Sequence, residues 1–274
     1  MIHRTKHFTA YLFLWAMLLV ACAPADNTPP TQTARVAMAQ ARATEMAHLL
    51  QGTELAQRRQ LTATAEALQT RLAAAAGWPV AFQDTYEDNR NDWAEGEDKG
   101  DLADVAWAME NGKFRWEAAA HQGVVWWNYP TSSQVEDFYL SIDTRLIEAA
   151  ATAYLGVIFR MDDETNYYAF FVNNGGEMSL DQHSADGWET LIPWTSCPAL
   201  RLNQVNRIEV LGEGDHFSFW INGDLATQYQ HDAYTLGYAG VAIGLEEAGD
   251  SGVFEFDNFE LRAPVLPPTR TPAP

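Results

Sequence analysis

The chain has 274 residues, 47% of them hydrophobic, and carries 37 acids against 17 bases for a net charge of −20. A surface this acidic repels phosphodiesters and anionic lipid, which excludes nucleic acid as a partner; neutral glycans, cations and basic partners remain, and the same acidity serves solubility. With only Cys22 and Cys197, no disulfide framework can be built, so a hydrophobic core must hold the fold.

At the N-terminus, basic His3, Arg4 and Lys6 precede an apolar run over residues 10–21 that ends at Cys22. This is the anatomy of an export signal, and the run is short for a bilayer span. Leu19-Val20-Ala21-Cys22 resembles the bacterial lipoprotein lipobox. That resemblance implies a signal peptide over residues 1–22, lipid on Cys22, and an exported protein anchored to the cell membrane and facing outside. Residues 23–34 then form a flexible linker.

Residues 31–76 are rich in Ala, Thr, Gln, Arg and Leu and contain no proline, which favours helix. The expected element is a helical spacer or coiled coil over 35–76, the latter offering an oligomer interface. Met38, Ala41, Met46, Leu49, Leu50, Leu61, Leu68 and Leu72 make an irregular stripe interrupted at Gly52. A face this alanine-rich buries little area, which favours the spacer.

After Gly77 the texture changes to short aromatic and β-branched runs. Strands are predicted at 80–86, 104–108, 113–119, 123–128, 137–146, 153–161, 166–173, 177–183, 188–194, 205–211, 216–221, 225–229, 237–245 and 253–262. Asn174-Gly175-Gly176, Asp186-Gly187 and Asn222-Gly223-Asp224 supply hairpin chemistry between them. Strands at this spacing predict an all-β fold, an antiparallel two-sheet sandwich over 78–263, preceded by the helical segment. This region holds 33 acids against 9 bases. The Pro/Thr-rich residues 264–274 read as a disordered tail.

Alternation assigns the layers. Phe217, Phe219 and Ile221 share one face while Ser218 and Trp220 share the other, and Ile208 and Val210 oppose Glu209 and Leu211. Leu155, Val157 and Phe159 read as core, turning Tyr154, Ile158 and Arg160 outward. Phe138, Leu140 and Ile142 read as core, turning Tyr139, Ser141, Asp143 and Arg145 outward. Placed side by side in one sheet, these two strands would line a groove with Tyr139, Asp143 and Arg160.

The segments YLGVIFR followed by NYYAFFV, and FSFWINGDL followed by GYAGVAIG and FDNFEL, resemble a concanavalin A-like lectin/glucanase jelly roll. The likeness is greatest to exported bacterial domains of the 3-keto-disaccharide hydrolase and laminin-G-like groups, and covers about residues 82–262. It implies a jelly roll whose concave sheet holds sugar against aromatic rings, with Tyr139, Asp143 and Arg160 joined by Trp126, Trp127, Tyr168 and Trp188. It also implies a structural Ca²⁺ where the first and last strands meet, with Asp84 and Asp257 as ligands. Arg160 has a second reading as a structural arginine paired with Asp143 or Asp162.

The other chemistry is sparse. His121, His183, His216 and His231 are scattered without zinc spacing, no G-x-S-x-G occurs, and no phosphate-cradling glycine loop is present. Glu255, Asp257 and Glu260 form the E-x-D-x-x-E pattern of family 16 glycosidases, which those enzymes carry in mid-chain on an interior strand, whereas here it ends the domain. Phe254 and Phe256 differ in parity from Phe259 and Leu261, so burying all four requires a bulge near Asp257-Asn258. The expectation is a non-catalytic, lipid-anchored module binding glycan or another extracellular ligand. The alternatives are a glycoside hydrolase using acids such as Asp143 or Glu255, and a ligand-free structural domain.

Overall fold

The computed structural model describes residues 31–265. The expected lipidation site at Cys22 and most of the tail lie outside them. Helix α1 (Gln32–Ala75) is followed by β1 (Val80–Asp84), β2 (Gly96–Lys99), β3 (Ala103–Met109), β4 (Phe114–Ala120) and β5 (Val124–Asn128). Next come β6 (Phe138–Ala149), β7 (Tyr154–Asp163), β8 (Asn166–Asn173), β9 (Glu177–Ser184) and β10 (Gly187–Ser196). The chain closes with β11 (Asn206–Glu213), β12 (His216–Ile221), β13 (Asp224–Gln230), β14 (Tyr238–Leu245) and β15 (Ser251–Arg262). The unpredicted strand is β2: its sequence GEDK has no apolar alternation, and it survives as a charged edge.

All strand pairs are antiparallel. A nine-stranded sheet runs β13-β12-β11-β6-β15-β4-β3-β2 with β1 added beside β15, and a six-stranded sheet runs β10-β9-β8-β7-β14-β5. Their facing sides enclose one core, to which both sheets contribute the alternate residues predicted to point inward: Phe138, Leu140 and Ile142 from β6, Leu155, Val157 and Phe159 from β7, and Phe217, Phe219 and Ile221 from β12. Phe170 stacks on Phe219 across the gap with centroids 4.4 Å apart. This is a jelly-roll sandwich.

The bulge in β15 is present. Register with β6 shifts between Asp257 and Glu260, and Asn258 adopts a left-handed φ of 52°. Phe254, Phe256, Phe259 and Leu261 are therefore all buried on one side. Although last in the chain, β15 is interior to its sheet, with β6 on one flank and β4 and β1 on the other.

The two outer faces differ. On the nine-stranded sheet, Leu68, Leu72 and Ala75 of the helix end cover Tyr139, Leu211 and Trp220, and Arg71 pairs with Glu213. The apolar residues that alternation turned outward are thus roofed by the chain's own helix. Along residues 32–60 the helix instead exposes Val36, Met38, Met46, Leu49 and Leu50. On the six-stranded sheet, β8 is buried at both parities, because its outward residues Tyr167, Ala169 and Phe171 cluster with Ile158, Met161 and Ala242. An antiparallel sheet commonly keeps one face polar; over β5, β7, β8 and β14 this one is apolar on both.

Candidate functional site

The outer face of the six-stranded sheet is built from a small-residue floor and aromatic walls. Gly156 of β7, Ala169 of β8 and Gly240, Ala242 and Gly244 of β14 fall at outward positions. A Cβ on Gly244 would overlap the ring of Tyr154, so glycine there lets the tyrosine lie across β14. Two chains of rings rise from the floor. Tyr154 meets Phe171 at 4.8 Å and Trp194 at 5.4 Å between centroids. Tyr167 meets Trp127 at 5.4 Å, His183 at 5.2 Å and Trp188 at 5.6 Å.

Between these rings lies a cavity of about 230 Å³ lined by Val125, Tyr154, Phe171, Asp181, Trp188, Thr190, Trp194 and Glu246. Alternation on β9 delivers Asp181, since Met178 and Leu180 point into the core. Register irregularities between Thr190 and Thr195 re-aim β10 and bring Trp194 over the face. The Asp181 carboxylate accepts hydrogen bonds from Thr190 Oγ1 at 2.8 Å and Ser179 Oγ at 2.9 Å. Glu246 accepts one from Trp194 Nε1 at 3.3 Å. Burial pushes the Asp181 carboxyl up from its ordinary pKa, and the two hydroxyls partly oppose that. The Tyr154 phenol is raised by burial first and then by the negative charges of Glu246 and Asp181. Trp188 is the most open ring, 45% exposed.

Of the residues the sequence nominated for a ligand, Trp188 lies in this cavity. Trp126 turns the other way, packing on the core beside Trp107, and its neighbour Trp127 takes the outward position. Tyr168 is buried in the core with its hydroxyl 2.7 Å from His231 Nδ1. The expected groove of Tyr139, Asp143 and Arg160 does not form, because β6 and β7 belong to opposite sheets. Tyr139 lies beneath Leu68 and Leu72 and donates to Glu209 at 2.8 Å. Asp143 accepts from Arg207 at 3.3 Å and from Asn258 Nδ2 at 2.9 Å. Arg160 is 1% exposed at the end of the sandwich, its guanidinium 4.7 Å above the Phe217 ring.

The acidic triplet is on the outer face of the nine-stranded sheet, and each member has a cation: Arg115 at 3.6 Å from Glu255, Lys113 at 2.9 Å from Asp257, and Arg262 at 2.7 Å from Glu260. Acids neutralised in this way are poor candidates for paired glycosidase carboxyls. The expected calcium ligands do not fit the ion either. Asp84 spends one oxygen on Tyr86 N and the other on Asn91 Nδ2 and Trp93 Nε1, while Asp257 is held by Lys113. Among the described residues, no three His, Cys, Asp or Glu side chains gather as a metal would require.

Sequence reasoning placed Tyr154 and Ile158 outward but missed Asp181, Trp194 and Glu246. One signal was available: NYYAFFVN is apolar at both parities, so one of its faces had to cover something other than the core.

No family model matches the chain, and no curated protein matches it. Solved structures do. An endo-β-galactosidase from Clostridium perfringens that releases GlcNAcα1-4Gal aligns over 69% of this chain and 64% of its own, at 10% identity and a TM-score of 0.53. A carbohydrate binding module from Bacillus subtilis aligns over 62% of this chain and 95% of its own, at 16% identity and a TM-score of 0.49. The catalytic domain of an endo-1,3-β-glucanase from Thermotoga petrophila aligns over 69% and 99%, at 8% identity and 0.48. The likeness to the endo-β-galactosidase shows that the two share a sandwich fold.

Proposed function

We propose that the domain is a carbohydrate-binding module whose ligand seats on the outer face of the six-stranded sheet, over the cavity between Tyr154, Trp188 and Trp194. The observation that carries this is an apolar sheet face lined with rings on an otherwise acidic, charged domain. Aromatic faces match the C–H face of a pyranose, and carboxylates and hydroxyls at the rim accept or donate to its hydroxyls. The endo-β-galactosidase that shares the fold acts on a glycan, which accords with the reading. The test is a glycan array probed with the full chain. Trp188→Ala is expected to weaken the best binder about tenfold, since a stacked ring at a ligand surface is worth roughly 1–2 kcal/mol. Because Trp188 is exposed, the melting temperature should stay where it is. Equal binding by the variant would reject this face.

A hydrolytic reading has one specific observation in its favour: Asp181, with its raised pKa, shares the cavity with a second acid, Glu246. Turnover of a disaccharide or β-glucan by the chain, abolished in Asp181→Asn, would replace binding by hydrolysis as the function. The location proposed with either reading is outside the cell, on lipid attached at Cys22, with the helix as spacer. Metabolic labelling with a radiolabelled fatty acid should mark the protein; an unlabelled, fully soluble product would refute the anchor.

A further inference from the structure

Two sets of acids on the outer faces of this domain differ in the company they keep. On the outer face of the nine-stranded sheet, Asp143, Glu255, Asp257 and Glu260 are each paired with an arginine or lysine. In the cavity on the opposite face, Asp181 and Glu246 receive hydrogen bonds from Ser179, Thr190 and Trp194, all neutral donors. Among the described residues neither has an ion pair. The sequence explains why none is within reach: residues 161–200 and 208–261 contain no lysine or arginine at all. Across β5, β7, β8, β9, β10 and β14 the one such cation is Arg160, which is buried at the end of the sandwich against Phe217 and the carbonyl of Tyr234.

Asp181 is half-buried and Glu246 stands exposed at the rim, and a carboxylate held as Asp181 is, without a counter-charge, is costly to keep charged unless something brings the charge. The rings around them suit a cation as well. A positive group placed among Tyr154, Trp188 and Trp194 is attracted by the negative faces of their π systems, and this attraction grows as the group loses water. A cavity of about 230 Å³ admits a single ring substituent rather than a long chain. An anionic sugar would meet two like charges there and no lysine or arginine to offset them.

We infer that the cavity selects a sugar bearing a free ammonium group, a de-N-acetylated hexosamine, with Asp181 and Glu246 as its counter-ions and the rings as its walls. This rests on the carbohydrate-binding reading and narrows it. No covalent step is involved.

The experiment is calorimetric titration of the full chain, at neutral to mildly acidic pH and low salt, with three tetrasaccharides: β-1,4-linked glucosamine, its fully N-acetylated counterpart, and cellotetraose. The glucosamine oligomer is expected to bind about tenfold more tightly than either neutral one, and its advantage should shrink as salt is raised. The double variant Asp181→Asn, Glu246→Gln should remove that advantage, so that the glucosamine oligomer binds no more tightly than the neutral ones; a thermal melt of the variant confirms that it is folded. Equal or tighter binding of a neutral oligomer by the wild-type chain would overturn the ammonium assignment and leave the carbohydrate-binding reading standing. Binding of the glucosamine oligomer that is unaffected by both the double variant and Trp188→Ala would overturn the cavity as its site. Failure of all three oligomers, together with a silent glycan array, would overturn the carbohydrate-binding reading and this inference with it.

Discussion

Replacing Arg160 with leucine is expected to lower the stability of the domain by about 3 kcal/mol, a fall in melting temperature of roughly 6–12 °C for a domain of this size. Arg160 sits where β7 loses its register with both neighbours, and it holds a left-handed φ of 50°. That local turn directs the side chain into the end of the sandwich instead of out over the sheet. There Nη1 donates to the carbonyl of Tyr234 at 2.8 Å and Nη2 to that of Glu136 at 3.4 Å, tying the segment before β6 to the segment between β13 and β14. Asp137 lies 4.0 Å away, and burial lowers the guanidinium pKa while the Asp137 charge opposes that. Leucine would fill part of the volume but leave two carbonyls without their donors, and unsatisfied buried acceptors are the larger share of the cost. Lysine keeps the charge without the two-pronged reach and should fall in between. Calorimetric melts of the three proteins measure this. Glycan affinity per folded molecule should not change; a variant that melts like the wild type but no longer binds would return Arg160 to the ligand site.

Gly156→Ala is expected to be more damaging, about 4 kcal/mol or more, and to give mostly insoluble protein. Gly156 pairs with Phe171 across β7 and β8, and a Cβ there would overlap the carbonyl oxygen of Phe170 and crowd the Phe171 backbone. Backbone cannot rotate away as a side-chain tip can, so the two strands would have to part at the middle of the sheet that carries the cavity. Gly52→Ala is the matched control: nothing lies within 4 Å of that position, which is in the exposed helix, and alanine should favour the helix by about 0.5–1 kcal/mol. Recovery of Gly156→Ala in soluble form with an unchanged melting temperature would refute the close approach of β7 and β8.

The aromatic face and the roofed face show where reading by alternation succeeds and where it stops. Parity correctly separated Leu155, Val157 and Phe159 from Tyr154 and Ile158, and it required the bulge beside Asp257. Parity is a property of one strand at a time. It says which residues are opposite the core, and it is silent on what lies over them. So Leu211, Trp220 and Tyr139 read as outward and are in fact covered by Leu68 and Leu72. Trp126 and Trp127 are adjacent and chemically alike, and the one facing out depends on the register of β5 against β14, which places Trp127 opposite Ala242 and Trp126 opposite Ile243 of the core.

From the sequence alone came the all-β class, the positions of fourteen strands, the helix ahead of them and the inward residues of the core, because each rests on periods of two or 3.6 that neighbouring residues impose on one another. The tertiary structure decided which strands share a sheet. β6 and β7 follow each other in the chain yet pair in opposite sheets, which dissolved the groove of Tyr139, Asp143 and Arg160. The same partition assembled Tyr154, Asp181, Trp188, Trp194 and Glu246 from β7, β9, β10 and the turn after β14. Strand partnership is settled by core packing between residues far apart in sequence, and no local period records it.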